Sequence, residues 1–416
     1  MTMREAMTRE GCAALDAADP LAGCRERFVL PEGMVYLDGN SLGPLPRDTV
    51  ARLDHVMREE WGRGLVRSWN TADWIGLPQR VGDKIGRLVG AAEGQVVVAD
   101  STSVNLFKTL AGALALRPGR RIVVAELDAF PTDLYMAQGL SALLGGRHEL
   151  RLVESTEVEA ALDPDVAVVM LTHVDYRRGA VHDMAAVARA VHGVGALMLW
   201  DLAHSAGAMP VDLDGTAADL AVGCGYKYLN GGPGAPAFIY VARHLQASFR
   251  QPLTGWMGHA APFAFDPRYE PAPDIRRVLC GTPPVLAVAA LEAGVDELLA
   301  VDMAQVRAKS LSLTGLFRRL VGERCGRMGL EPFGPADPTV CGSQVSLRHA
   351  QAYAVVQALI AAGVIGDFRM PDILRFGFAP LYLRHVDVWD AVEALRRVLG
   401  SGEWDRPEFR RRAAVT

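Results

Sequence analysis

The chain has 416 residues, more than one ordinary domain holds, so a large domain plus a smaller one is expected. Half of its residues are hydrophobic and 22% are charged, an ordinary globular composition, and a net charge of −5 gives no basic field to recruit nucleic acid. Six cysteines without CxxC spacing and ten histidines without an HExxH pattern indicate neither a zinc site nor a disulfide framework, so no metal is expected. The start, MTMREAMTREG, lacks the apolar stretch of a signal peptide, and no uncharged apolar run reaches membrane-spanning length. A soluble cytoplasmic protein without a membrane partner is the expectation.

Residues 4–27 read as a helical, mixed-charge surface arm. Met34 to Pro46, MVYLDGNSLGPLP, reads as a short strand (Val35 to Leu37) followed by a turn-rich segment. The glycines of that segment suit a tight turn; a functional reading lays Asn40 and Ser41 over a substrate. Residues 47–64 read as an amphipathic helix. Trp69 and Trp74 follow in an aromatic linker that suits core or pocket lining. From about residue 70 the chain reads as the large domain. Val96 to Ala99 is a buried strand that runs into Asp100-Ser101-Thr102-Ser103 and then a helical pattern. Hydroxyls at a strand-to-helix junction make either an ordinary helix cap or an anion site. Ile122 to Ala125 is the next strand, followed by Phe130-Pro131-Thr132-Asp133, an aromatic with polar groups beside it. Val166 to Leu171 is another strand and ends in Thr172-His173. The alternation of strands and helices argues for an α/β fold with a mostly parallel sheet and helices on both faces.

Ala196 to Trp200 is a continuous apolar run, as in a parallel strand buried on both faces, and Asp201 ends it. His204 comes three residues later. Leu220 to Val222 then breaks into Gly223, Gly225, Tyr226 and Lys227 before a glycine-rich turn and the strand Ala237 to Val241. Lys227 follows Asp201 by 26 residues. Ligands of open α/β sheets bind beyond the carboxyl ends of the strands. An anion to keep a pyridine nitrogen protonated, a flat side chain and a Schiff-base lysine are what pyridoxal 5'-phosphate requires. Singly, Asp201 suits a helix cap, His204 a core histidine and Lys227 a surface loop. Together at strand ends they point to the cofactor.

Beyond Lys227 come Gly255-Trp256-Met257-Gly258, a Pro-rich loop and Cys280-Gly281-Thr282-Pro283-Pro284, long connections of the kind that serve an interface or active site. Val285 to about Gly329 reads as helical, a hinge into the small domain. Ser343 to Leu347 reads as a strand and Gln351 to Ala362 as a helix. In the strand Ile373 to Phe378, Arg375 is either a paired core charge or a carboxylate clamp. Val386 to Leu399 is the last helix, before a basic tail. The expected division is 1–69 for the arm and part of the small domain, 70–284 for the large domain and 285–416 for the rest of the small one.

From about Leu37 to Tyr382 the chain resembles the kynureninase family, on the segments LDGNSLG, DSTSVNLFK, FPTD, WDLAHSAGA, GCGYKYLNGGPGAP, GWMGH, GTPP and LRFGFAPLY. The Asp-x-x-His…Lys pattern belongs to the wider fold-type-I group of pyridoxal phosphate enzymes; YKYLNGGPG and GNSLG narrow it. The resemblance implies the aspartate aminotransferase-like fold, with a small α+β domain. It implies hydrolysis of L-kynurenine, and less readily its 3-hydroxy form, to anthranilate or 3-hydroxyanthranilate and L-alanine, in tryptophan catabolism or NAD biosynthesis. Lys227 would carry the cofactor and shuttle the Cα proton, and Asp201 would pair with the pyridinium. His204 and Tyr226 would lie near phosphate and ring, with Phe130 stacked on the ring and Thr102, Ser103, Asp133 and Thr172 adding hydrogen bonds. Trp256 and Thr282 would reach the phosphate from the neighbouring subunit of an obligate homodimer. Arg375 would hold the substrate carboxylate, near Asn40 and Ser41. Gly281-Thr282, with Trp69 nearby, resembles members that prefer kynurenine. Tyr226 is the expected acid that protonates Cβ. The rivals are a cysteine desulfurase or aminotransferase of the same fold, and a non-catalytic binding protein.

Overall fold

The computed structural model describes residues 8–413, which fall into two compact units. One holds residues 48–176 and 182–300. The other gathers the chain up to Arg47, residues 177–181 and the chain from Val301 onward.

In the larger unit, seven strands form one sheet: β1 (Val96–Ala99), β2 (Ile122–Glu126), β3 (Glu149–Val153), β4 (Val166–Thr172), β5 (Leu197–Asp201), β6 (Leu220–Gly223) and β7 (Ala237–Val241). Their order is β1-β7-β6-β5-β4-β2-β3. Every residue of β1, β2 and β4 to β7 is buried, which is why these segments read as unbroken apolar runs. Strand β3, ELRLV, lies at the edge and is partly exposed, so its mixed composition gave no apolar run to read. Pairing is parallel except around β7, which opposes both β1 and β6. Since β1 and β6 both oppose β7, they run the same way. The carboxyl ends of β1, β2, β4, β5 and β6 therefore share one edge of the sheet. That edge gathers the Ser101–Ser103 junction, the Phe130–Asp133 turn, Thr172, Asp201 and the Lys227 turn.

Helices α1 (Leu77–Leu88), α2 (Thr102–Leu116), α3 (Pro131–Leu143), α4 (Met184–Gly193) and α5 (Val285–Leu299) belong to this unit. On α1, Leu77, Val81, Ile85 and Leu88 make one apolar stripe at helical spacing. Gly82 lets α1 close onto β1, since a Cβ there would lie 2.4 Å from the Val96 carbonyl oxygen. The expected borders at 69/70 and 284/285 fall instead at 47/48 and 300/301. Helix α5 stays with the larger unit because its Glu292 pairs with Lys84 (3.0 Å) and Arg80 (3.2 Å) of α1. Residues 56–64 stay there because Trp74 Nε1 donates to Glu60 (2.7 Å). The helical block expected over 285–329 is two helices, since Asp302 caps a new one, α6 (Met303–Cys325), by accepting from the Ala304 amide.

In the smaller unit, β8 (Glu331–Pro332), β9 (Gln344–Arg348), β10 (Asp367–Arg369) and β11 (Ile373–Gly377) form an antiparallel sheet of order β8-β9-β11-β10. Helices α6, α7 (Ala352–Ala361) and α8 (His385–Ser401) complete it. Residues 4–7 of the expected arm and the last three residues of the tail lie outside the described residues. The rest of the arm is anchored: a helix at Arg9–Ala17 buries Cys12, and Asp16 caps α8 by accepting from the His385 and Val386 amides. Among the described residues no helix is long and apolar enough to cross a membrane, and no cluster of His, Cys, Asp and Glu could hold a metal.

Candidate active site

Lys227 sits in the irregular turn from β6 to β7. The turn is held by its own main chain: Gly231 N–H donates to Gly225 O (2.9 Å) and Asn230 N–H to Lys227 O (3.0 Å). Gly225 is required, because a Cβ there would lie 2.3 Å from the Pro236 carbonyl oxygen. The half-buried lysine Nζ lies 3.1 Å from His204 Nε2, in the turn that follows β5.

Two carboxylates face this amine from the same sheet edge. Asp201, at the end of β5, is buried and accepts the Ala203 N–H (2.7 Å). Burial pushes its carboxyl above the ordinary value, opposed by the Lys227 charge and that hydrogen bond. Asp133, in the first turn of α3, is buried beside Thr172. Burial and then the Asp201 charge push its carboxyl well above the ordinary value, again opposed by Lys227. Two buried carboxylates thus share one amine.

At the neighbouring junction, Ser101 caps α2 by accepting from Val104 N–H (3.4 Å). The ordinary cap expected of the hydroxyl cluster is therefore Ser101. Thr102 and Ser103 open the helix, and the buried Thr102 Oγ1 has no hydrogen-bond partner among the described residues. An unused hydroxyl at the positive end of a fifteen-residue helix fits a phosphate. Amine, carboxylates and phosphate cradle together are the donor set that pyridoxal phosphate needs.

The other expected residues of this unit are more open. Phe130 is exposed, edge-on to Tyr176 at 5.2 Å. Tyr226 is half-buried, its ring centroid 5.8 Å from Lys227 Nζ. Trp69 packs edge-on against Trp74 at 5.8 Å. Trp256, on a one-turn helix, packs edge-on against Phe263 at 5.6 Å, and Gly281 and Thr282 are exposed in the loop before α5.

The smaller unit builds a second cluster. Arg375 on β11 is buried and paired with its cross-strand neighbour Asp367 on β10, Nε to Oδ1 at 2.9 Å and Nη2 to Oδ2. The guanidinium is therefore paired within its own unit. Ser41 Oγ donates to Asp367 Oδ2 (2.9 Å) and accepts from Arg375 Nη2 (2.9 Å), and Arg369 pairs with the same carboxylate at 2.5 Å. Burial alone would raise the Asp367 carboxyl, but Arg375 and Arg369 hold it below its ordinary value. Asp38 shares the cluster; burial and the Asp367 charge push its carboxyl up to about 7, against the pull of Arg375. Asn40 is fully buried against Gly377, and neither side-chain amide atom has a partner among the described residues. Asp38, Asp367 and Arg369 are missing from the sequence-based site. Asp367 and Arg369 alternate on one strand face, a pattern that shows which side they point to but not that Arg375 stands opposite.

Residues 306–395 match the family model described as the kynureninase C-terminal domain. Over 414 residues, 98% of this chain and all of the relative, the chain is 55% identical to a kynureninase of Burkholderia pseudomallei strain 1106a. It is 52% identical over the same span to one of Pseudomonas fluorescens. Among solved structures, a cysteine desulfurase of Thermococcus onnurineus NA1 superposes with a TM-score of 0.76 at 18% identity, over 91% of this chain and 98% of that one. C-DES, solved as a variant with glycine covalently linked to its PLP cofactor, superposes at 0.75 and 15% identity, over 89% and 98%. These two show the fold, which is aspartate aminotransferase-like.

Proposed function

The chain belongs to the kynureninase family, and on that footing we propose that it hydrolyses L-kynurenine to anthranilate and L-alanine using pyridoxal 5'-phosphate held at Lys227. The observation that carries the site is the Lys227 amine 3.1 Å from His204 and facing the buried Asp201 and Asp133.

When bound, the cofactor supplies an electron sink for the bonds broken at Cα and Cβ. The chain's own groups do the rest. Lys227 Nζ would hold the cofactor's aldehyde, and its amine would take the substrate's Cα proton and return it before L-alanine leaves. Asp201, buried at the end of β5, would pair with the ring nitrogen and keep it protonated. Asp133 and Thr172 would add hydrogen bonds to the cofactor, His204 would lie near its phosphate and ring, Phe130 would pack on the ring, and Thr102 and Ser103 would hold the phosphate at the α2 N-terminus. Arg375, with Asn40 and Ser41, receives the substrate carboxylate. Water adds at the γ-carbonyl and gives up a proton to a base, the Cβ–Cγ bond breaks with its electron pair left on Cβ and anthranilate leaving as the carboxylate, and Tyr226 donates the proton that completes the methyl at Cβ.

Trp256 and Thr282 complete the phosphate site of the partner in a homodimer. Gly281 and Trp69 border the aromatic subsite, and 3-hydroxy-L-kynurenine is the poorer substrate. The reaction would serve tryptophan catabolism or NAD biosynthesis, in the cytoplasm. The cysteines speak against a desulfurase: five of the six are buried, among them Cys341, whose thiol is held by the Asp337 and Pro335 carbonyls at 3.1 and 3.4 Å.

Anthranilate fluorescence on mixing the protein with L-kynurenine, with and without added cofactor, tests the reading. Cofactor-dependent anthranilate, lost in Lys227→Ala, is the expected result. An intact Lys-bound cofactor spectrum without anthranilate from either substrate would reject the reaction while leaving the cofactor.

A further inference from the structure

Lys108 is the most buried charge in the larger unit, with 0% of its surface exposed, and no step above uses it. It lies on α2, two turns inside the helix that opens at Thr102. A buried ammonium is retained only where its hydrogen bonds are satisfied. Lys108 Nζ is ion-paired to Asp100 Oδ2 and donates to the Val278 carbonyl oxygen at 2.8 Å.

Asp100 is the residue between β1 and the Ser101 cap, and its backbone is left-handed, with φ at +41°. A non-glycine residue there is strained and stays only where its surroundings hold it. Asp100 is held on two sides, by the lysine and by its own carbonyl oxygen, which accepts Ala237 N–H of β7 at 2.8 Å. Its conformation aims the chain into Ser101, Thr102 and Ser103. Val278, the lysine's other partner, lies two residues before Cys280, whose carbonyl oxygen accepts the Met257 N–H at 3.2 Å beside Trp256.

We propose that Lys108 is a positioning residue for the phosphate of the cofactor: through Asp100 it fixes the hydroxyl cradle, and through Val278 it fastens that cradle to the loop carrying Trp256 and Thr282. This rests on the reading of the site as a pyridoxal phosphate site. A set cradle favours the phosphate because its donors need not be ordered when the ligand arrives.

The test compares wild type, Lys108→Met, Asp100→Asn and the double variant, each titrated with pyridoxal phosphate and with pyridoxal, which lacks the phosphate. The Lys-bound cofactor absorbance reads the affinity. Each single variant is expected to weaken pyridoxal phosphate about tenfold and leave pyridoxal unchanged. The double variant should lose no more than the worse single one, because both break the same contact. Equal weakening of the two ligands, or none, would overturn the proposal. Asp100 is 35% exposed at its side chain, so Asp100→Asn carries the test alone if Lys108→Met does not fold. Cofactor uptake by wild type with unchanged variants rejects the positioning role only; a wild type that takes up neither ligand rejects the site reading with it.

Discussion

Asp38 and Asp201 are both carboxyls pushed upward, but for different company. Asp201 faces an amine, while Asp38 faces Asp367, itself ion-paired to two arginines. For Asp38 the linkage has a definite sign. Its carboxyl moves from an ordinary 3.8 to about 7 in the folded chain, so folding takes up a proton between those values. Stability from this group is complete below about 3.8 and is lost as pH rises through about 7. Asp38→Asn removes the titration. Thermal melts at pH 5 and pH 8 should show the variant gaining several degrees on wild type at the higher pH; an equal offset at both would reject the shift. The contrast also marks what was legible. Asp201, His204 and Lys227 could be read because each ends or follows an apolar strand, and strand ends are where α/β sheets place chemistry. The roles of Asp38 and Asp367 depend on which strands pair in the smaller sheet, and register is set by long-range packing that spacing along the chain does not encode.

At the scale of elements, the central strands were legible because burial on both faces leaves a continuous apolar signature. The antiparallel direction of β7 was not, since a buried strand looks the same read either way. Edge strand β3 was invisible for the opposite reason: partial exposure dilutes its apolar content. The β6–β7 connection is where element and chemistry meet, because its path fixes the lysine. That path leaves no room for a side chain at residue 225, where a Cβ would lie 2.3 Å from Pro236 O and 3.1 Å from two methyls of Leu291. Gly225→Ala must displace backbone, at a cost of about 1–3 kcal/mol by the usual range for overpacking. A lower melting temperature together with a weakened Lys-bound cofactor band is expected. A loss of stability with the band unchanged would mean that the turn can yield without moving Lys227.

The whole molecule is where the exposed residues find a use. Trp256 is 37% exposed, and its neighbours Phe263 and Phe265 are more so, the latter at 77%. Three aromatic rings left open in one loop segment mark an interaction surface more than a finished one. If Trp256 and Thr282 of each chain complete the other chain's site, Lys227 and Trp256 of one site come from different chains. In a symmetric dimer that has a consequence simple activity loss lacks. Lys227→Ala and Trp256→Ala are each expected to be inactive alone. In a mixed dimer one site inherits both lesions and the other neither. Random remixing puts half of the chains in mixed dimers, each with one intact site, so about a quarter of wild-type activity should return. Were both residues to serve the same chain's site, every site in the mixture would carry one lesion and nothing would return. Unfolding and refolding the two variants together, then measuring anthranilate against separately refolded controls, decides between the two arrangements without any structure of the assembly.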